Sequence, residues 1–315
     1  MEHVRLPHTD LTITRVGLGG CPLGGHGWGP VEHDRLVAAV HAALDSGVNH
    51  FDTADIYGLG ASEQLLAEAL GRHRHETVIA SKFGVRRSDD GTFYDARPEW
   101  LGEALDATLR RLRIETLPLY YLHWPDGQTP IAETLGALQR LKDAGKIRAI
   151  GVSNLSPDQL DEACGAAEVS LVQLQYSLLD REDAASAQPV AERHGVPLAT
   201  WGSLAQGLLT GKFDASTRFA ADDRRRRYPA FQGERFQRNL RFVALLRSEA
   251  TALGTTPGRL AIRWLLDTPG VGAVLFGAKS PEQVEDNVAA QALGPLPAEV
   301  YQRLSRGFRP QAEAA

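Results

Sequence analysis

The sequence predicts an α/β fold in which eight parallel strands and their crossover helices close into a single (β/α)8 TIM barrel. Short apolar runs alternate with amphipathic segments of helical length, which is the pattern of βα units. A doubly wound open sheet is the competing arrangement, but it usually has fewer strands. The 315 residues suit one enlarged barrel and contain no linker or low-complexity stretch, so we predict one domain over residues 1–315.

The predicted barrel strands are short and rich in apolar residues. They cover residues 15–18, 49–52, 77–82, 119–123, 147–152, 170–173, 196–201 and 272–276. The predicted helices have one apolar face, and some carry boundary residues, such as Pro98 at a first helical position and Gly145 just after a last turn. They cover residues 33–45, 62–70, 98–112, 131–144, 236–253, 257–267 and 281–290. Two more helices are predicted, one that begins at Pro157 and one that ends near His194.

Two segments lie outside the repeating units. Residues 3–5 and 11–13 flank the turn at residues 8–10, and we predict that they form an N-terminal β-hairpin that caps the lower end of the barrel. The chain near its C-terminus is predicted to add extra helices to the barrel.

The composition excludes several classes of protein. A net charge of −5 leaves no basic footprint for nucleic acid or an anionic membrane, and no apolar run approaches the ~20 residues of a membrane span. The two cysteines cannot form a disulfide framework, and residues 1–10 lack the apolar run of a signal peptide, so we expect a cytoplasmic protein. His73 and His75 have no further ligands nearby, and no metal site is predicted. No exposed apolar stripe stands out, so a monomer or weak homo-oligomer is expected.

Polar or aromatic side chains stand at the ends of six consecutive predicted strands, where a barrel core would require apolar ones. They are Asp52, Lys82, His123, Asn154, Gln173 and Trp201. Barrel enzymes build their active sites at the carboxyl ends of the strands, so these side chains predict a catalytic site there.

Four residues suggest the chemistry. Tyr57 follows the second strand and Lys82 ends the third, so their side chains are expected to converge above the barrel. An ammonium beside a phenol favours the phenolate and is expected to lower the pKa of Tyr57 from about 10. Asp52 would pair with Lys82, and His123 would donate a hydrogen bond to a substrate oxygen. Together they suit protonation of a developing alkoxide, whereas Asp52 and Lys82 alone also fit a structural buried ion pair.

Longer motifs surround these residues. They are FDTADIYG at 51–58, SKFG at 81–84, LHWPD at 122–126, GKIRAIGVSN at 145–154, QLQYS at 173–177 and LAQGLLTGK at 204–212. In this order they resemble the signature of the aldo-keto reductases, and the last two resemble the bacterial branch related to potassium-channel β subunits. The resemblance runs from about residue 17 to residue 287.

The resemblance implies a role for each catalytic candidate. Tyr57 would donate a proton, Asp52 and Lys82 would tune it, and His123 would position a carbonyl group. A hydride would pass from a nicotinamide cofactor to the carbonyl carbon of an aldehyde, a ketone or a sugar. The resemblance also implies a set of cofactor-binding residues, namely Ser153, Asn154, Gln173, Trp201, Ser203, Leu204, Gln206, Gly207, Lys212, Gly277, Lys279, Gln283 and Asn287.

Cofactor choice and substrate pocket depend on fewer signals. Lys279 suits the 2′-phosphate of NADP, so NADP (as NADPH) is predicted, with NAD as the alternative. Trp28, Tyr94 and Trp124 are the candidate walls of the substrate pocket. Residues 224–227 are four consecutive arginines in a long polar insertion, which fits either a solvated loop or a lid over the site.

Two other functions remain open at this point. One is a redox-sensing regulatory subunit that binds NADP and turns over slowly. The other is a lyase or hydrolase that uses Lys82 as a Schiff-base nucleophile.

Overall fold

A computed structural model describes residues 1–308, and a closed ring of eight parallel strands forms its centre. The strands are β1 (His3–Arg5), β2 (Thr12–Thr14), β3 (Val16–Gly19), β4 (His50–Asp52), β5 (Val78–Phe83), β6 (Val85–Ser88), β7 (Gly91–Tyr94), β8 (Leu117–Leu122), β9 (Ile147–Ser153), β10 (Val169–Gln175), β11 (Leu198–Trp201) and β12 (Val271–Gly277). The ring follows chain order, from β3 through β4, β5 and β8 to β12, which then pairs with β3. The predicted barrel is therefore confirmed.

Helices surround the ring. They are α1 (His33–Asp45), α2 (Ala61–Leu70), α3 (Pro98–Leu112), α4 (Ile131–Asp143), α5 (Pro157–Ala166), α6 (Glu182–Arg193), α7 (Gly233–Ala252), α8 (Pro257–Leu266), α9 (Pro281–Val288) and α10 (Ala298–Gly307). The last of these is the predicted C-terminal addition. The predicted domain extends to residue 315, and residues 309–315 lie outside the described part of the chain.

The N-terminal hairpin closes the lower end of the barrel, as predicted. β1 pairs antiparallel with β2, with His3 opposite Thr14. Leu6, Leu11 and Ile13 are at most 3% exposed, and they pack against side chains from inside the ring. Water is therefore excluded from the lower end, and the barrel opens at the carboxyl ends of its strands.

A second hairpin, β6–β7, lies in a stretch for which the sequence predicts neither a strand nor a helix. β6 and β7 pair antiparallel directly after the third barrel strand, with Val85 opposite Tyr94. Most of their side chains are exposed, so the strands lack the apolar alternation that identifies a strand in a sequence. This hairpin is therefore missed at the level of the sequence.

The long polar insertion is packed onto the barrel. Phe213, Phe219, Phe231 and Phe236 form a chain of ring contacts with centroids 5.1–5.9 Å apart. Four buried or half-buried aromatic rings anchor the segment, and the arginine run at 224–227 forms a short 3₁₀ turn beside them. The run is therefore part of a packed segment, and its role as a lid over the site stays a prediction.

The barrel interior holds one histidine without a polar partner. His50 on β4 is fully buried, and neither ring nitrogen has a hydrogen-bond partner among the described residues. Burial lowers the pKa of His50 from 6.5 to about 4, so the ring is neutral in the folded protein at neutral pH.

This burial predicts an acid-sensitive fold. Between pH 6.5 and about pH 4, the unfolded chain binds a proton at His50 that the folded chain rejects. The free energy of unfolding therefore falls as the pH is lowered through this window, by up to about 1.4 kcal/mol per pH unit. His50→Gln should flatten this slope in urea unfolding experiments. Exposed His75→Gln is the control and should keep the wild-type slope. An unchanged slope in His50→Gln would contradict this account.

Candidate active site

A cavity of about 700 Å³ opens at the carboxyl ends of the barrel strands. All thirteen predicted cofactor-binding residues line it, and so do Asp52, Tyr57 and His123. Lys82 is buried beneath its floor and is 0% exposed. The structure thus brings the predicted site residues together in one place.

The floor of the cavity is built on a buried ion pair. Lys82 Nζ donates to Asp52 Oδ1 at 2.5 Å and to the Thr53 carbonyl at 2.7 Å. Gln173 Nε2 donates to the second carboxylate oxygen, Asp52 Oδ2, at 2.8 Å. Asp52 and Lys82 lie on neighbouring strands, whereas Gln173 reaches them from β10 on the opposite side of the ring. Both carboxylate oxygens are therefore partnered, as burial of a charge requires.

Tyr57 lies above this pair, in the turn that follows β4. Lys82 Nζ is 5.1 Å from the centre of the phenol ring, as the sequence predicts. Burial nevertheless raises the pKa of Tyr57 well above its usual value, and the charge of Asp52 acts in the same direction. The predicted lowering of this pKa is wrong, because Asp52 offsets the charge of Lys82 and burial penalises the phenolate. The phenol is protonated at neutral pH and can act as an acid.

His123 adjoins Tyr57. It lies one residue beyond β8, and its ring meets the Tyr57 ring edge-on at 5.8 Å between centroids. Burial lowers the pKa of His123 well below its usual value, and Lys82 lowers it further. The imidazole is therefore neutral, with one N–H to donate.

One side wall is held by hydrogen bonds between residues at the ends of four strands, β8 to β11. Trp201 Nε1 donates to Asn154 Oδ1 at 3.1 Å, and Asn154 Nδ2 donates to the His123 carbonyl at 2.9 Å. Ser153 Oγ donates to the Gln173 carbonyl at 2.8 Å. The bond from Nε1 orients the indole of Trp201, which lines the cavity as an aromatic face.

The opposite end of the cavity collects positive charge. Lys212, Arg225 and Lys279 line it. Burial and the charges of neighbouring cations lower the pKa of both Lys212 and Lys279. Of these cations, Arg225 is paired with a carboxylate, Asp223, at 2.5 Å. Among the described residues Lys212 and Lys279 have no such salt bridge, so this end of the cavity provides a site for an anionic ligand.

Acidic side chains at this end are already paired. Glu282 and Asp286 line the cavity, but Glu282 contacts Arg35 at 2.8 Å and Asp286 contacts Arg259 at 2.7 Å. Their charges are thus offset by these arginines, and Lys279 is not neutralised by them.

The substrate-side wall differs in part from the prediction. Trp28 and Trp124 line the cavity, but Tyr94 does not. Tyr94 lies on β7, is 49% exposed and packs against the Trp124 ring from outside, with centroids 5.7 Å apart. The prediction for Tyr94 is wrong because β6–β7 turns its side chain away from the cavity.

Sequence reasoning did not identify Cys21, Arg224 and Tyr228, which also line the cavity. The glycine-rich turn at residues 19–29 and the arginine run at residues 224–227 are each visible in the sequence. Their contact, however, joins segments about 200 residues apart, which no local pattern predicts. Arg226 and Arg227, in the same run, are exposed and do not line the cavity.

Metal-binding clusters and membrane-spanning helices are both absent from residues 1–308. In this range no three His, Cys, Asp or Glu side chains are grouped to hold a metal ion. None of the helices in the same range has the length and apolar character required to cross a bilayer.

The ion pair makes a prediction about stability. Asp52→Asn leaves Lys82 buried without a carboxylate, which should lower the free energy of unfolding by about 3–5 kcal/mol. The double variant Asp52→Asn, Lys82→Met removes the unpaired charge and should recover most of this loss in urea unfolding. Equal destabilisation of the single and double variants would show that the buried charge is not responsible.

Known proteins are similar to this chain in sequence and in fold. The model of the aldo/keto reductase family matches residues 15–306. Aldo-keto reductase YhdN of Bacillus subtilis is 37% identical over 288 residues, which are 90% of this chain and 87% of that protein. The NADH-specific methylglyoxal reductase of Escherichia coli is 32% identical over 306 residues, 92% of this chain and 93% of that protein.

A solved structure is similar over nearly the full length. The glycerol dehydrogenase AKR11B4 from Gluconobacter oxydans superimposes with a TM-score of 0.87 at 35% identity, covering 99% of both chains. The family predicted from the motifs is confirmed, and the chain belongs to the aldo/keto reductase family.

Proposed function

We propose that this oxidoreductase reduces an aldehyde or ketone to the alcohol with NADPH, and that Tyr57 supplies the proton. The observation that carries the proposal is the floor of the cavity, where a protonated phenol and a neutral imidazole meet above a buried ion pair. Reduction of a carbonyl places negative charge on its oxygen, and two adjacent donors stabilise that charge.

Each residue of the floor has a separate task. Tyr57 O–H donates its proton to the carbonyl oxygen, and His123 donates a hydrogen bond to the same atom. The ammonium of Lys82, 5.1 Å from the phenol ring centre, stabilises the phenolate that remains. Asp52 and Gln173 act as positioning residues that hold Lys82 in place.

The cavity fits a nicotinamide dinucleotide along its length. When bound, NADPH supplies the hydride that the carbonyl carbon accepts. Trp201, with Ser153, Asn154 and Gln173, would hold the nicotinamide end beside the floor. The cations at the other end suit phosphates, and Lys212 and Lys279 would bind them with the backbone around Gly207 and Gly277.

NADP preference rests on Lys279. Its ammonium donates to the Trp28 carbonyl at 2.7 Å and has no carboxylate partner among the described residues, so its charge is available to a 2′-phosphate. The Escherichia coli relative is named as NADH-specific, so NAD remains the alternative for this chain.

Lys82 as a nucleophile is not supported by these contacts. Its ammonium is fully buried and makes two hydrogen bonds, so no substrate carbonyl reaches it.

A cytoplasmic location and a monomeric or weakly associated state remain predictions. Cys21 and Cys164 are both free thiols.

Tyr57→Phe tests the proton donor. The variant should lower kcat for a generic aldehyde by about 100-fold to 10,000-fold, the range of general acid catalysis, while the Kd for NADPH stays within about 3-fold. Stopped-flow oxidation of bound NADPH measures the step directly. Tyr94→Phe, outside the cavity, is the matched control. Wild-type turnover in Tyr57→Phe would contradict the assignment, and tight NADPH binding without hydride transfer in the wild type would favour a redox-sensing subunit.

Lys279→Met tests the cofactor choice. Losing one charge-assisted hydrogen bond should weaken NADPH binding by about 10-fold to 100-fold and leave NADH binding almost unchanged. Fluorescence titration with both cofactors measures the difference. Equal weakening of both would instead assign Lys279 to holding the loop at Trp28.

A further inference from the structure

We propose that Arg224 makes this reductase selective for aldehydes or ketones that carry a carboxylate. The inference rests on the proposed function and adds the chemical class of its substrate. Arg224 belongs to the run of four arginines, and its side chain lines the cavity on the side of Cys21, Trp28 and Tyr228.

The Arg224 side chain is held in place by neutral groups. Its backbone N–H donates to the Gly27 carbonyl at 3.0 Å, and its Nη2 lies 3.3 Å from His26 Nε2. His26 Nδ1 lies 3.1 Å from the Gly24 carbonyl, which can only accept, so Nδ1 carries the proton and Nε2 accepts from Arg224. Arg224 Nη1 makes only a long contact, 3.8 Å, with Cys21 Sγ.

The sequence is adapted to this position of the arginine. Gly27 has a φ of 82°, and a Cβ there would lie 2.6 Å from Arg224 Nε. Only glycine therefore allows the guanidinium to pack this closely over the turn.

The charge of Arg224 is not compensated. No carboxylate of residues 1–308 lies within salt-bridge distance of its guanidinium, and the neighbouring Asp223 is committed to Arg225. Burial raises the pKa of the Cys21 thiol, so this contact is also neutral at pH 7. A half-buried guanidinium that retains unused donors in a cavity is a binding site for an anion.

The anion is assigned to the substrate by the turn that Arg224 contacts. Arg224 reaches Cys21 and His26 in this turn, and Gly24 between them packs against Tyr57, where a Cβ would lie 2.9 Å from the Tyr57 carbonyl carbon. The guanidinium therefore lies on the side of the proposed proton donor. The cations Lys212, Arg225 and Lys279 interact with one another at the other end of the cavity. Arg225 and Lys279 both contact the Trp28 carbonyl, whereas Arg224 contacts Cys21 and His26, which come before Trp28 in the same turn. The two groups of cations therefore meet at Trp28, and Arg224 lies on the side of Cys21.

The surroundings of Arg224 favour a carboxylate. Trp28 and Tyr228 stack with ring centroids 6.4 Å apart and form an apolar wall beside the guanidinium. One uncompensated cation matches one negative charge, and the planar guanidinium can donate two parallel hydrogen bonds to a carboxylate.

Matched pairs of substrates test the inference. The probes are succinic semialdehyde and para-carboxybenzaldehyde, each compared with its uncharged methyl ester. The measured quantity is the ratio of kcat/KM for the acid to kcat/KM for the ester. For the wild type we expect a ratio of about 10 or more, and Arg224→Met should lower it about 10-fold to 100-fold, the range for one hydrogen bond to a charged group.

Two variants serve as controls. Arg224→Lys keeps the charge and should retain part of the ratio. Arg226→Met removes an exposed arginine from the same turn and should leave the ratio at the wild-type value.

Several results would overturn the inference. They are a wild-type ratio near one, an equal loss for acid and ester in Arg224→Met, and a loss of NADPH affinity in that variant that matches its loss of activity. If the esters are reduced in any of these cases, the result still supports the proposed carbonyl reductase function.

If the wild type reduces no aldehyde at all, the proposed function fails and binding tests the inference alone. Calorimetry with succinate should then show binding to the wild type and about 10-fold weaker binding to Arg224→Met. Equal succinate affinity in the two proteins would overturn the inference.

Discussion

The buried ion pair between Lys82 and Asp52 is the interaction on which the rest of the site depends. Two charges in a protein interior are tolerated only when every polar atom is partnered, because desolvation costs several kcal/mol for each ion. Here the Thr53 carbonyl and the Gln173 amide complete the network. Gln173 comes from the strand opposite Asp52, so only a closed ring of eight strands brings it within reach. The barrel and the floor of the cavity are thus specified by the same constraint.

The cavity above this pair has an uneven distribution of charge. Its floor carries a phenol and an imidazole that burial keeps neutral, which suits proton donation near neutral pH. Lys212 and Lys279 line one part of the cavity, and Arg224 lines the part beside Cys21 and Tyr228. In the proposed reaction, the hydride donor and the carbonyl compound are therefore recognised by different cations, while hydride transfer takes place at the floor, beside Tyr57 and His123.

Much of this organisation could be predicted from the sequence, because the carboxyl ends of parallel strands meet at one rim. By that rule, the strand ends at Asp52, Lys82 and His123 are expected to lie together. Contacts between distant loops could not be predicted, since no spacing relates Arg224 to the turn at residue 27. β6–β7 was missed because its exposed strands lack a periodic pattern, and Tyr57 was given the wrong pKa shift because burial outweighs a nearby ammonium already paired with a carboxylate.

The central claim is that this chain transfers a hydride from NADPH to a carbonyl carbon. Transfer of deuterium tests it most directly: NADPH labelled with deuterium at nicotinamide C4 is incubated with the protein and an aldehyde, and the alcohol is examined by NMR. The account predicts one deuterium on the carbinol carbon and loss of that label from the cofactor. An alcohol that lacks deuterium with both the 4R-labelled and the 4S-labelled cofactor, or no alcohol at all, would contradict it.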